Sequence, residues 1–278
     1  MSCYYVLHFP EGKMKAVTFS YDDGVDPDIR LCEIFKKHGL KATFNLNGAL
    51  LTGKDGKNAR KLSENEATEL YADPLFEVAC HAYTHPYLEK CDPAVALNEL
   101  VSDRLKLESL FGCEVHGMAY PMGTYSDSVI ECCRTAGIYY SRTTKSTLDF
   151  KLPTEWLTWH PTCHHANKEI FNLADKFLNE PMNIKDPAKL FYIWGHSYEF
   201  NMRNDWERME ELCELLGGHD DVWYATNMEI YRYCRSFSRL KYSADGKIIY
   251  NPTAVKIWLR DGIGGDVFSI EPGETVKR

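Results

Sequence analysis

The chain alternates short apolar runs with longer stretches whose apolar positions recur every three or four residues. AVTFS (16–20), ATFNL (42–46) and FEVAC (76–80) are short, rich in β-branched and aromatic residues, and predict strands. Between and after them, 26–38, a segment opening at Ser63, and 94–111 carry helical periodicity. Gly39 stops the first of these helices, and Glu66 stands three residues after Ser63, the spacing of a capping box. The alternation continues with strands at 115–120, 138–143, 190–194 and 222–225, and helices at 127–136, 167–179 and 205–216. Strands and helices in strict alternation predict a parallel sheet, open or closed into a barrel. After about residue 235 the pattern changes. KYSADGKIIY and AVKIWLRDG read as strands, with Asp245-Gly246 as a hairpin turn. This divides the chain into an α/β unit over 1–236 and a small antiparallel β extension over 237–278.

Composition narrows the function classes. The 278 residues carry a formal charge of −8 and no block of Lys and Arg, which argues against nucleic acid or an anionic membrane as the main partner. No apolar run approaches the ~20 residues that span a bilayer. The start of the chain lacks a basic, apolar leader pattern, and the expected location is the cytoplasm. The ten cysteines form no CxxC pair and sit mostly in apolar segments, so buried thiols are expected rather than disulfides.

Three polar clusters each follow directly on a predicted strand: Asp22-Asp23, His81 with His85, and His196. Sites in parallel α/β sheets form at the C-terminal ends of strands. His81 and His85 are four apart, which on a helical turn places both imidazoles on one face. Taken singly, the acidic pair reads as a turn and the histidines as a core residue and a cap. Together they offer one carboxylate and two imidazoles to a zinc ion, with positions left open for water and substrate, and a second aspartate free to act as base. A further cluster, WHPTCHH, carries His160, Cys163, His164 and His165. A second metal site, a wall of the substrate cleft, a contact from His164 to the Asp22-Asp23 carboxylates and an ordinary polar loop are all open readings of it.

The clusters resemble the motifs of the polysaccharide deacetylases, carbohydrate esterase family four, with its nodulation-protein-like homology domain. TFSYDDG resembles the family's TF-DDG, HAYTHPYL its H-[ST]-x-x-H with Ala82 at the Ser/Thr position, AYPMG its R-x-P-Y-G, and FYIWGH its L-x-I-H. The resemblance spans about residues 15–233. It implies a distorted, incomplete (β/α) barrel of seven strands and a hydrolase that removes an acetyl or other acyl group from an amino sugar or another acylated carbohydrate. It also implies a role for each matching residue: Asp22 as base, His196 as acid, and Asp23, His81 and His85 as ligands of a divalent metal, most simply zinc. Oligomerisation is left open. The family's third-motif Arg is Ala119 here, and Arg142 is the candidate replacement that neutralises Asp22. The Asp-Trp pair that tunes the family's catalytic His has no clear match, with Asp149 and Glu155-Trp156 as candidates. Tyr21, Met122, Tyr125, Trp194 and His164 are the expected substrate contacts, with Tyr120 and Tyr198 nearby. The rival readings are a metal-independent cyclic imide or amide hydrolase, and a non-catalytic relative that binds carbohydrate or metal.

Overall fold

The structure is a computed structural model and describes residues 5–183 and 185–278. After β1 (Tyr5–His8), the alternation runs β2 (Lys15–Asp22), α1 (Asp28–Lys37), β3 (Ala42–Leu46), α2 (Glu64–Leu70), β4 (Phe76–Cys80) and α3 (Pro93–Phe111). It continues with β5 (Gly117–Ala119), α4 (Asp127–Thr135), β6 (Tyr140–Arg142), β7 (Cys163–His164), α5 (Ile170–Asn179) and β8 (Lys189–Gly195). Helices α6 (Tyr198–Arg203) and α7 (Trp206–Leu216), strand β9 (Val222–Tyr224) and helix α8 (Asn227–Ser238) complete the α/β part. The capping box at Ser63 and Glu66 forms as the spacing predicts. A second, at Thr226 and Glu229, opens α8, which the sequence pattern left unassigned.

Seven parallel strands follow the order β6-β5-β4-β3-β2-β8-β7. An eighth, β9, pairs with residues 15–17 of β2, leaving 19–22 of that strand to β3. The sheet curls into an incomplete barrel. The chain from Trp159 to His164 spans its gap, pairing Trp159 with Arg142 at one end and Cys163 with Ile193 at the other. Part of the WHPTCHH segment is therefore strand β7.

Side-chain alternation sorts the strands into two faces. On β2, Phe19 and Tyr21 face outward and pack on Phe35 of α1. Thr18, Ser20 and Asp22 face inward, where they meet Asn227, Asn45 and Arg142. The main apolar core thus lies between sheet and helices, and the barrel interior is polar toward its C-terminal end. Each large apolar side chain buried there contributes roughly 1.5–3 kcal/mol.

The tail forms β10 (Lys241–Tyr242), β11 (Ile248–Tyr250), β12 (Ile257–Asp261), β13 (Val267–Ile270) and β14 (Thr275–Lys277). They make two three-stranded antiparallel sheets, β10-β11-β14 and β1-β12-β13, and the Asp245-Gly246 turn lies between β10 and β11 as expected. Ile257, Leu259 and Ile270 pack with Tyr140, Leu190 and Tyr192 of the barrel in a second core. The nine described cysteines are all free, and six of them are buried; Cys3 lies outside the described residues. No helix among the described residues is long and apolar enough to cross a membrane.

Candidate active site

The site sits at the C-terminal ends of β2, β4 and β8. Consecutive strand residues point to opposite faces, yet Asp22 and Asp23 both reach it. Asp23 manages this by leaving the strand with φ of 88°, in the left-handed region. His81 and His85 converge without the helical turn that their spacing predicts. The segment between them is irregular, with Ala82 and His85 both at positive φ. Three side chains hold it in that shape. Asn47 donates to the Ala82 carbonyl at 2.8 Å, Asp103 accepts the His81 N–H at 2.9 Å, and Glu99 accepts both the N–H and hydroxyl of Thr84.

Ligand atoms of Asp23, His81 and His85 lie within 4.8 Å of one another. His81 Nδ1 is 2.8 Å from the Ala119 carbonyl, so that nitrogen carries the proton and the Nε2 lone pair faces the site. Burial pushes the His81 pKa down to about 4 and keeps the ring neutral. A neutral imidazole oriented by a backbone carbonyl, a second imidazole and a carboxylate form a donor set that fits zinc or a similar divalent ion.

Asp22 is 2% exposed. Burial alone would raise its pKa, but Arg142, His81 and His196 outweigh it and the carboxyl falls to about 2. Arg142, 1% exposed on β6 across the barrel, donates from Nη2 to Asp22 Oδ2 and from Nε to Ser20 Oγ at 3.2 Å. Asn45 donates to the other carboxylate oxygen at 2.8 Å. Trp194 lies over the guanidinium, 4.4 Å from ring centroid to Cζ.

His196 Nε2 lies 3.8 Å from Asp22 Oδ2. Its Nδ1 is 3.0 Å from Oε1 of Glu199, one turn onward at the start of α6. Burial lowers the imidazole pKa, but the bond to Glu199 and the charges of Asp22 and Asp23 raise it above its ordinary value. Glu199 also faces His164 Nε2 at 3.4 Å, His165 Nε2 at 3.2 Å and Arg203 at 3.0 Å; burial would raise its pKa, but His164, His165 and His196 hold it well below the usual carboxylate range. His165 is 4% exposed and stacks between Tyr21 and Phe200. Its ring fits only because residue 195 is glycine: a Cβ there would fall 1.9 Å from Nδ1.

A cleft of about 580 Å³ opens over these groups, within the range of small-molecule sites. It is lined by Asp22, Asp23, His81, His85, Tyr120, Met122, Trp194, His196 and Tyr198. Other expected contacts lie off it. Tyr21 is 0% exposed and sits on the outer face of β2, with its hydroxyl on Met209 Sδ, because strand parity turns it away from Asp22. Tyr125 stacks on the far side of Tyr120, and His164 stands behind Trp194. His164 reaches Glu199, not the Asp22-Asp23 pair. His160 meets Thr143. Lys61, which the sequence reading passed over, donates to the Asp23 carbonyl at 2.8 Å and lies 3.3 Å from its Oδ1.

A polysaccharide deacetylase family model matches residues 10–141 of this chain. Over that stretch, just under half of its length, the chain is similar to the polysaccharide deacetylases. A Mycobacterium smegmatis structure assigned to that family matches over 86% of this chain and 96% of its own, at 16% identity and a TM-score of 0.62, which establishes the shared fold. A Streptococcus pyogenes deacetylase in complex with acetate is 24% identical, with a TM-score of 0.42, over 46% of this chain and 55% of that one. A CE4 family pseudoenzyme from Bacillus anthracis is 18% identical, with a TM-score of 0.49, over 81% of this chain and 68% of that one. This chain therefore spans about half the length of the streptococcal protein. No curated protein matches the chain.

Set beside the deacetylase motifs, the departures have local substitutes. Ala119 pairs in register with Arg142 on the neighbouring strand, and the Arg142 guanidinium reaches Asp22. Glu199 stands where a carboxylate partner of the terminal His is needed. Asp149 lies beside Lys151, and Glu155 caps the turn at Leu157, so neither candidate from the sequence supplies it.

Proposed function

We propose that the protein is a metal-dependent deacylase that hydrolyses the acyl group of an amino sugar or related acylated carbohydrate. The observation that carries this reading is the convergence of the Asp23, His81 and His85 donor atoms on the cleft where Asp22 and His196 face each other. Held by Asp23, His81 and His85, a divalent ion, most simply zinc, supplies Lewis acidity to the acyl oxygen and to water. Asp22 stays ionised across the working pH range and accepts the proton of the attacking water. Asn45 and Arg142 fix the carboxylate while it does so. His196, with Nδ1–H on Glu199, presents Nε2 to the cleft and protonates the leaving nitrogen or oxygen. An amide needs this acid, because an amine anion is a very poor leaving group. The nine unpaired thiols suit a reducing compartment, which favours a soluble cytoplasmic substrate over mature cell wall.

The test is acetate release from acetylated amino sugars and their oligomers by metal-depleted and zinc-reconstituted protein. Activity should vanish on depletion, return with zinc, and fall by about 10²-fold or more in Asp22→Asn and His196→Ala. Activity that survives complete chelation overturns the metal mechanism, and no acetate release at any zinc loading overturns the deacylase reading. Metal analysis of His81→Ala, which should lose zinc, checks the ligand set independently of turnover.

A further inference from the structure

The segment from Gly53 to Lys61 roofs one side of the cleft. It folds back on itself through bonds from Lys61 N to the Lys54 carbonyl and from Gly56 N to the Ala59 carbonyl. Backbone bonds from Asp26 to Arg60 and from Leu62 to Gly24 anchor it beside the Asp22-Asp23 turn. Asn58 at its tip approaches the Tyr198 hydroxyl, and Lys57, Asn58, Ala59 and Lys61 line the cleft wall. The sequence GKDGKNARK puts four cations and one carboxylate into nine residues of a chain whose overall charge is −8.

Three of these cations have distinct situations. Arg60 turns away and pairs with both oxygens of Glu66 at 2.9 Å. Lys61 is on Asp23, at the same carboxylate oxygen that His85 Nε2 faces from 3.9 Å. Lys57 lines the cleft and makes no ion pair or hydrogen bond among the described residues. The carboxylates of the cleft are already answered: Asp22 by Arg142, and Asp23 by Lys61. Lys57 is thus a surplus cation, and any divalent ion taken up by Asp23 adds to the surplus and leaves Lys61 without its counter-charge.

We propose that the acylated substrate carries an anionic group, phosphate or carboxylate, which Lys57 and Lys61 hold at the roof of the cleft while the acyl group lies over Asp22 and His196. This inference rests on the deacylase reading and adds the charge class of the substrate. A neutral sugar offers two ammonium groups only hydroxyl and carbonyl acceptors, whereas an anion forms the stronger bonds between charged partners with both. Asn58 and Tyr198, which approach each other at the cleft, supply further polar groups beside the two lysines.

The experiment uses zinc-loaded protein and three ligands: N-acetylglucosamine, its 6-phosphate, and N-acetylmuramic acid. Dissociation constants come from ligand-detected NMR, with acetate release followed in the same samples. At least one anionic sugar should bind about tenfold or more tightly than the neutral one, with a preference that weakens as salt is added. Which of the two does so distinguishes phosphate from carboxylate. Lys57→Glu and Lys61→Met should each bring the anionic and neutral constants within about twofold. Equal affinities in the native protein, no binding of either anionic sugar, or a preference that persists in both variants, as simple capture of the anion by zinc would give, overturns the proposal. Anion preference without acetate release would instead sink the deacylase reading and leave the anion site standing.

Discussion

Arg142 and Glu199 act on two groups of opposite charge, and bias each toward the state that the proposed acyl hydrolysis needs. Arg142 keeps buried Asp22 ionised, and Glu199, with Asp22 and Asp23, raises the His196 pKa against the effect of burial while turning the ring so that Nε2 faces the cleft. The two limbs of a pH–rate profile should report them separately. Asp22 stays ionised down to about pH 2, below the value of about 4 at which His81 protonates, so the acid limb reports Asp22 only in Arg142→Ala, where loss of the guanidinium should move its titration to higher pH. The same variant leaves a buried carboxylate unpaired and should cost about 3–5 kcal/mol of stability, which Arg142→Lys should partly restore. Rate that requires protonated His196 falls as pH rises through its raised pKa, and Glu199→Gln should shift that fall to lower pH with about a tenfold or greater loss of kcat. Unchanged profiles in both variants would reduce these contacts to packing. Arg142 was legible in the sequence because Ala119 left Asp22 without a cation, so a replacement had to be sought. Glu199 was not, although its i, i+3 spacing from His196 is the available signal, because the helix that carries it, α6, is too short to announce itself by periodicity.

At the scale of elements, the long amphipathic helices and the buried strands could be read directly, because their periodicities differ. What escaped was shaped by tertiary contact. Strand β7 has two residues and exists because Cys163 and His164 pair with β8. The turn between His81 and His85 owes its shape to Asn47, Glu99 and Asp103, which no local pattern reveals. The Asp22-Asp23 turn has a comparable support at the start of α1. Asp28 is 0% exposed and accepts the Val25 N–H at 3.1 Å and the Tyr71 hydroxyl at 2.6 Å, which ties the turn to α1 and to the end of α2. Burial outweighs those bonds and lifts the Asp28 pKa to about 6. The folded protein therefore binds a proton between about pH 4 and 6 that the unfolded chain has released, and this group's contribution to stability declines as pH rises through that window. A lift of about two units corresponds to roughly 3 kcal/mol. Asp28→Asn does not titrate, so urea unfolding should show the variant gaining about that much relative to the native protein between pH 4 and pH 8. A constant difference across that range would mean that Asp28 keeps an ordinary pKa in the fold.

At the scale of the whole molecule, the tail is joined to the α/β part by more than the chain. β1, from the start of the sequence, pairs with β12 from Tyr5–Asp261 through His8–Trp258, so the two ends of the chain share one sheet. That sheet lies over α8, whose N-terminus enters the barrel: Asn227 bonds Thr18 and Tyr192, and the Met228 N–H reaches the buried carboxylate of Glu77 at 2.8 Å. A helix N-terminus against a carboxylate is mutually stabilising. Ile257, Leu259, Tyr233, Tyr192 and Tyr140 then form one apolar layer from tail to barrel. Sequence pattern alone shows the tail as a change of periodicity and says nothing of what it covers, since its apolar partners lie far away along the chain. The layer predicts that the tail and barrel unfold together. Native-state hydrogen exchange should find the most protected amides of β2 and β12 opening with the same free energy. Leu259→Ala, which empties a fully buried site in that layer, should lower both by the same amount, about 2–5 kcal/mol. If β12 instead exchanges at a lower free energy than β2, and Leu259→Ala leaves β2 untouched, the extension folds as a separate unit and the shared layer is too weak to couple them.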